Sequence, residues 1–441
     1  MNTHAFSWLR GRAARYAVAA LAAVAVLAFG AFAPAAAQAA APATLYVSQG
    51  GLDSGICPLA NPCATVSYAL TQAASGATIK VSGTIHDHLT IASPVTITTW
   101  PNGPAVSPGV LDGAASGTVV TVNGGVTGVT LHDLTIENGS VGIFSNGTLT
   151  LTDSTVSGNA GAFAWAGIRN YDSGTMTIID STVTKNSNAT AGSTGSGVYN
   201  TGTMTVIAST ITGNTGGGIF SGGRTATLGA TIVASNTGAN CAGLNAASLA
   251  SAGYNLTNDK TGTACGFDAA TDLVNKNPLL GSLASNGGPT QTMLPGTKSP
   301  AANVIPKGTT LHGVAVCPST DQRGVARPGH GETRCTVGAA EAALNIATTT
   351  SVNLNPATVT SGTRVAYEAV VTPKSGTGTP TGTITFTTGS TTLCTAVLSG
   401  GVAACGATSA PVGTDTVTGT YSGGDGDASS SGTATLTVTS G

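Results

Sequence analysis

Residues 149–159 read LTLTDSTVSGN, and the chain repeats this stretch. Residues 176–186 read MTIIDSTVTKN, 204–214 read MTVIASTITGN and 226–236 read ATLGATIVASN. An earlier copy, 129–139, reads VTLHDLTIENG. Successive copies start 20, 27, 28 and 22 residues apart. Constant cores with variable spacing mean one structural unit per turn of a solenoid, with loops of different length between units. Apolar and polar residues alternate inside each copy, which is the strand period. Leu149 and Leu151, Met176 and Ile178, Met204 and Val206 are expected to face inward. A bend is expected at Asp153, Asp180 or Ala208, after which Val156, Val183 or Ile211 turns inward on a second short strand. Asn159, Asn186, Asn214 and Asn236 close the copies at one position. Asn tolerates turn geometry, and stacked amides can bond one another along a ladder.

A second column precedes each copy: Gly142-Ile143-Phe144-Ser145, Gly167-Ile168-Arg169-Asn170, Gly197-Val198-Tyr199-Asn200 and Gly218-Ile219-Phe220-Ser221. Each coil then holds about three short strands. The expected fold is all-β, a right-handed parallel β-helix followed by a small β-sandwich. Further rungs are traced back to about Ile79, and an amphipathic stretch at 64–74 is read as the N-terminal cap.

Composition bounds the compartment and the partners. Arg10, Arg12 and Arg15 precede an apolar run and then small residues up to Ala41, the pattern of a cleaved secretory signal peptide over residues 1–41. No later stretch is apolar and long enough to span a membrane. The chain has 16 Lys+Arg and 18 Asp+Glu; without the three leader Arg this becomes 13 against 18, a net charge of −5. With no basic patch, nucleic acid and anionic membranes are not expected partners. Only 8% of residues are charged and 62 are Gly, which suits short strands and tight turns. Eight cysteines fall into four local pairs, Cys57/Cys63, Cys241/Cys265, Cys317/Cys335 and Cys394/Cys405, and four disulfides in that order are expected in an oxidising compartment. None of the pairs has zinc-type spacing or a nearby His, so neither metal nor cofactor is expected.

Three stretches carry resemblances. Leu45-Tyr46-Val47-Ser48, Cys57, Pro62-Cys63, Ala69-Leu70 and residues 76–81 resemble the start of bacterial surface β-helix proteins of the pectin-lyase-like superfamily. Asn277-Pro278-Leu279-Leu280-Gly281, Asn286-Gly287-Gly288-Pro289-Thr290, Asp321-Gln322-Arg323-Gly324, Arg327-Pro328 and Cys335 through Glu341 are similar to the choice-of-anchor Q domain of secreted and surface bacterial proteins. Asn303 and Thr336 stand where that family carries Asp. Short alternating strands fill residues 347–441, and Pro380-Thr381-Gly382-Thr383-Ile384-Thr385-Phe386 with Thr420-Tyr421-Ser422-Gly423 resembles bacterial Ig-like repeats. The expected organisation is a leader at 1–41, a β-helix with its cap at 42–275, the C-terminal part of the β-helix region and a linker at 276–346, and an Ig-like domain at 347–441.

Three sets of residues bear on chemistry. Asp133, Asp153 and Asp180 share one position on three rungs. Such carboxylates can bind calcium or move protons, but Asp is also what a bend selects, and no Lys or Arg shares the column to act as a lyase base. Phe144, Arg169, Tyr199 and Phe220 follow an inward aliphatic residue and so point outward; with Phe163 and Trp165 they form a candidate stacking platform for sugars, or are rings shielded by the loops. His86, His88, His132, His312 and His330 sit in no catalytic pattern. The expectation is a secreted or cell-surface monomer without catalytic activity that binds carbohydrate or another surface ligand. A polysaccharide lyase or glycoside hydrolase and a structural envelope component are the alternatives, since fold alone licenses no activity.

Overall fold

The computed structural model describes residues 43–100, 108–162, 165–188, 195–244, 248–311, 313–329, 332–342, 346–374, 379–408, 410–424 and 427–441. The leader expectation, Phe163, His312 and His330 lie outside the described residues. No helix among the described residues is long and apolar enough to cross a membrane.

The repeat forms a parallel β-helix with three faces. Face one stacks Thr44–Ser48, the first half of Ala77–His86, then Val95–Thr99, Val129–His132, Thr148–Thr152, Thr175–Ile179, Thr203–Ile207, Ala226–Gly229 and Leu249–Gly253. Face two stacks the second half of Ala77–His86 and the strands that follow, from Gly109–Asp112 through Thr155–Ser157, Thr182–Thr184 and Thr210–Thr212 to Leu273–Val274. Face three runs from Leu89–Ile91 through Val141–Ser145, Ile168–Asn170, Val198–Asn200 and Ile219–Ser221 to Cys241–Gly243. The first rung is Thr44–Ser48, one coil earlier than the alternation at Ile79 indicates. Its strand is partly covered by the Cys57–Cys63 loop and the short helix Val66–Gln72.

The interior follows the sequence pattern. Leu149, Leu151, Met176, Ile178, Met204 and Val206 are buried from face one, and Val156, Val183 and Ile211 from face two. Between those faces the backbone turns through positive φ at Asp133, Asp153, Asp180, Ala208 and Ala230. Aspartate reaches this left-handed region more readily than most residues. Two ladders span the remaining corners. Asn159 Nδ2 donates to Asn186 Oδ1 at 3.0 Å, Asn186 Nδ2 to Asn214 Oδ1 at 3.0 Å, and Asn214 Nδ2 to Asn236 Oδ1 at 2.9 Å. Asn170 Nδ2 donates to Asn200 Oδ1 at 2.8 Å, and Asn200 Nδ2 to Ser221 Oγ at 3.0 Å. A third, shorter ladder runs through the bend, where the amides of Ser154 and Ser181 donate to Ser181 Oγ and Ser209 Oγ, each at 3.2 Å.

The Asn ladder explains the glycine that opens each face-three strand. A Cβ at Gly167 would lie 2.4 Å from the Gly197 carbonyl oxygen and 2.9 Å from Asn186 Nδ2. At Gly197 the same atom would lie 2.6 Å from the Gly218 oxygen and 2.8 Å from Asn214 Nδ2. Only glycine lets the ladder and the next rung approach so closely.

The coil closes with a short turn at its C-terminal end. Cys265 pairs with Cys241 as expected, but it stands on no rung. It closes a single 3₁₀ turn, Thr263–Cys265, in which the Cys265 amide donates to the Gly262 carbonyl at 3.0 Å. Gly266 follows in the left-handed conformation, φ 65°, and ends the turn. The turn folds Cys265 and Phe267 inward, where they are buried against the apolar core of the coil. The Cys241–Cys265 disulfide thus fastens a closing turn to face three, and strand structure resumes at Leu256–Thr257's partner, Leu273–Val274.

The described residues of 277–342 add no rung. They fold back as a strap along face two and the bend beside it. Thr155 Oγ1 donates to the Gln291 carbonyl and Thr182 Oγ1 to Gln322 Oε1, both at 2.6 Å, while the Ala339 amide donates to Thr210 Oγ1 at 3.0 Å. A second apolar core forms beneath the strap, with Ile207, Ala208, Ala230 and Ile232 of the coil against Ala301, Ile305, Val316 and Val337. This covering explains why the aspartate column gives way to alanine at 208 and 230.

The C-terminal sandwich pairs a three-stranded sheet, Thr348–Asn355, Val365–Pro373 and Val402–Ala407, with a five-stranded sheet built on Thr383–Thr388, Gly413–Tyr421 and Ser430–Thr439. Tyr367, Phe386, Tyr421 and Leu436 fill its core. All four expected disulfides are present: Cys57–Cys63, Cys241–Cys265, Cys317–Cys335 within the strap, and Cys394–Cys405, which joins the two sheets of the sandwich.

Asn186 tests the ladder. Its side chain accepts from the Asn159 amide and Nδ2 and donates to the Val156 carbonyl and to Asn214 Oδ1, all out of water. Asn186→Ala leaves several buried polar groups unmatched, and urea unfolding is expected to show a loss of about 3 kcal/mol. A loss below ~1 kcal/mol contradicts a ladder that carries the turn.

Candidate functional site

The three faces present three different outer surfaces. Face three brings the predicted aromatic column together. In register, Phe144 lies beside Arg169, Arg169 beside Tyr199, and Tyr199 beside Phe220. The Tyr199 and Phe220 rings stack with centroids 4.7 Å apart, and Trp165 leans on Tyr199 at 5.2 Å. The Arg169 guanidinium sits 3.8 Å from the Trp165 centroid, 4.5 Å from Tyr171 and 5.3 Å from Phe144. All six side chains are half-buried. Tyr171 was not singled out in the sequence; it lies just past the Arg169 strand, where only the fold brings it to the guanidinium.

Arg169 is held by rings rather than by an ion pair. Among the described residues it has no ion pair, and its Nε is buried without a hydrogen-bond partner. Burial lowers its pKa, against the neighbouring Tyr171 and Tyr199 hydroxyls and Asp172, which raise it. A cation–aromatic contact contributes on the order of 0.5–2 kcal/mol, enough to fix the side chain.

The aspartate column divides into two environments. At its N-terminal end, His132 Nδ1 lies 3.0 Å from Asp133 Oδ2 and Nε2 lies 3.2 Å from Asp153 Oδ2. Sequence reasoning left His132 without partners; the bend at Asp133 and the next rung supply both. These hydrogen bonds, to Asp133 first and then Asp153, push the imidazole pKa up to about 10 against the opposing effect of burial. The three side chains are close enough to hold a metal ion. Both ring nitrogens, however, already face carboxylates, so a metal would have to displace the proton that joins them.

Asp180 is the next member, and here the strap arrives. Arg327 Nη2 donates to Asp180 Oδ1 at 2.9 Å and Nη1 to Glu341 Oε1 at 3.2 Å, with the Thr336 and Gly338 carbonyls accepting from the same guanidinium. The Arg327 side chain is 0% exposed and that of Asp180 5%. Burial pushes the Asp180 and Glu341 carboxyls up, while these two acids together hold Arg327 charged in spite of its own burial. Nearby, Asp321 binds Arg323 through Nε at 3.0 Å and Nη2 at 2.6 Å and accepts the Glu341 amide. Asp321, Gln322, Arg323, Arg327 and Glu341 are among the residues on which the resemblance of the 277–341 stretch rests, and their work here is to seat the strap. The sequence reading found no basic residue in the aspartate column. Arg327 joins it from 147 positions away, sealed from solvent.

Three comparisons bear on this arrangement. Residues 352–439 match the family model described as bacterial Ig-like domain (group 3), and the C-terminal sandwich is a bacterial Ig-like domain. No curated protein matches the chain. A solved structure titled "Crystal structure of pectate lyase Pel9A" aligns over 68% of this chain and 96% of its own, at 13% identity and a TM-score of 0.36. The parallel β-helix itself is read from the strand register.

The charged groups carry two measurable consequences. Arg327→Met strands two buried carboxyls, and denaturation near neutral pH is expected to show a loss of about 3–5 kcal/mol. That loss shrinks as pH falls and the acids take up protons; a loss that is independent of pH contradicts the cluster. The native chain holds the His132 proton between 6.5 and about 10, where the unfolded chain has released it. The stability it contributes is therefore complete below 6.5 and lost as pH rises through about 10. Imidazole NMR shifts should report a protonated ring at about pH 8 and a lower midpoint in Asp153→Asn; a neutral ring at that pH contradicts the pairing.

Proposed function

We propose that the chain is a secreted or cell-surface binding protein without catalytic activity, and that it recognises glycans on face three of its coil. The observation that carries the reading is the strip formed by Trp165, Arg169, Tyr199 and Phe220, with its half-buried rings and a guanidinium that makes no ion pair among the described residues. Aromatic faces stack on the apolar faces of sugars, and an Arg outside an ion pair offers hydrogen-bond donors beside them. Secretion draws support from the leader pattern, the four disulfides and the Ig-like domain, all compatible with an extracellular place. The similarity of residues 277–341 to choice-of-anchor Q domains belongs to the same reading, as does a spacer role for the Ig-like module. The non-catalytic part is supported by the charged groups of the aspartate column: His132 is ion-paired through both nitrogens, and Arg327 is sealed under the strap.

A glycan array probed with the full chain tests the proposal. Phe144→Ala with Tyr199→Ala should weaken retention roughly tenfold, the scale of one or two lost ring contacts at ~0.5–1.5 kcal/mol each. Unchanged retention removes face three as the binding surface. Release of unsaturated or reducing sugars from the glycans on the array overturns the non-catalytic reading.

A further inference from the structure

The outer surface of face one is a grid of threonines. Thr150, Thr177, Thr205 and Thr227 lie in strict register on four consecutive rungs. Two residues earlier, Thr148, Thr175, Thr203 and Thr225 open the same four rungs, so each reads Thr-x-Thr with the intervening residue buried. The inner column continues upstream through the partners at positions 130, 96 and 78, all Thr. No register shift interrupts the grid before Leu228.

Spacing is fixed by the sheet. Neighbouring strands are ~4.8 Å apart, and residues two apart along a parallel strand are ~6.6 Å apart. The result is a two-dimensional lattice of hydroxyl and methyl groups that carries no charge. β-Branching restricts each side chain at χ1, and the ladders restrict the backbone, so little freedom remains to be lost on binding.

The hydroxyls on the first three rungs have no partner among the described residues, although the columns at 148–150, 175–177 and 203–205 are intermediate to exposed. Face two makes the contrast. Its outward Thr155, Thr182 and Thr210 are each bonded to the strap and buried. On face one the apolar core beneath the strap takes in Ile179 and Ile207, two positions beyond the inner threonine column, and Gly229 lies against Val316; the grid itself stays open.

A single threonine hydroxyl gains almost nothing by exchanging one water for another hydrogen-bond partner. A protein partner would want aromatic or arginine anchors in desolvated pockets, and a sugar would want a ring to stack on; the grid has neither. Identical hydroxyls and methyls at fixed two-dimensional spacing do match one kind of ligand, a lattice with a similar repeat. The oxygen rows of hexagonal ice repeat at close to the strand spacing. We infer that face one is an ice-binding surface: the Thr-x-Thr rungs from Thr148 to Thr227 hold waters where the crystal lattice places them.

Partition of the full chain into slowly growing ice, together with inhibition of ice recrystallisation, tests the inference. The protein should be enriched in the ice and should suppress recrystallisation. Thr177→Tyr with Thr205→Tyr, which breaks the plane of the grid, should cost at least tenfold in potency while the melting temperature is unchanged. Should that variant lower the melting temperature, Thr148→Lys with Thr203→Lys in the exposed column repeats the test. The face-three variant Phe144→Ala with Tyr199→Ala should keep full activity. Exclusion of the unaltered protein from ice, or full potency in grid variants that fold normally, overturns the assignment.

Discussion

Each rung of the coil buries its apolar face only against its neighbours, so every rung must land in register on the one before it. Backbone hydrogen bonds favour such stacking but do not choose among registers. Buried side chains at the corners do. Asn159, Asn186, Asn214 and Asn236 each satisfy their own turn and the next, and a slip by one residue would leave those amides unmatched in a dry interior. The glycines at 142, 167, 197 and 218 give way to this ladder, and the inter-rung loops vary in length without disturbing it.

A coil held this way has three outer surfaces on one frame. Stacking multiplies whatever a single position carries, so one threonine per rung becomes a column and one aromatic per rung becomes a strip. The strap consumes one surface: its Gln322 and Arg327 reach threonines and an aspartate of the coil, and its apolar residues cover the alanine bends. A buried guanidinium between two acids is weak evidence of stabilisation in itself. Its effect is positional, since only one alignment of strap on coil satisfies Arg327. The two faces left open differ in kind, with a cation among rings on one and neutral hydroxyls on the other.

Much of this was legible in the sequence because the repeat writes its own register. The inward residues, the bends, the Asn column and the outward aromatic column all stand at fixed offsets from residues 149–159, and the cysteine pairs follow from nearest-neighbour spacing. The threonine grid was equally visible there, in TLT, TMT, TMT and TAT, yet a periodicity reading takes outward threonine as ordinary strand filler. What the sequence could not show is long-range. Arg327 meets Asp180 and Gln322 meets Thr155 across more than 140 positions, and nothing local says that residues 277–342 double back along the coil. The pairing of His132 with Asp153 needs the next rung in place, and the first rung at Thr44–Ser48 was hidden because a cap and a disulfide loop separate it from its successor. Cys265 shows the same limit on a smaller scale: its partner was readable, but the helical turn that carries it was not, because the repeat has already faded there.

Register is the central claim, and cysteine pairs read it directly. All eight native cysteines are bonded, so introduced thiols report on themselves alone. Thr177→Cys with Thr205→Cys puts two thiols on register partners, at ~4.8 Å and within disulfide reach. Thr177→Cys with Thr203→Cys sets them two residues out of step, at about 8 Å and beyond that reach. Mass spectrometry after mild oxidation should find the first pair bonded and the second free. A bond in the second pair with none in the first would contradict the stacking on which the three faces depend.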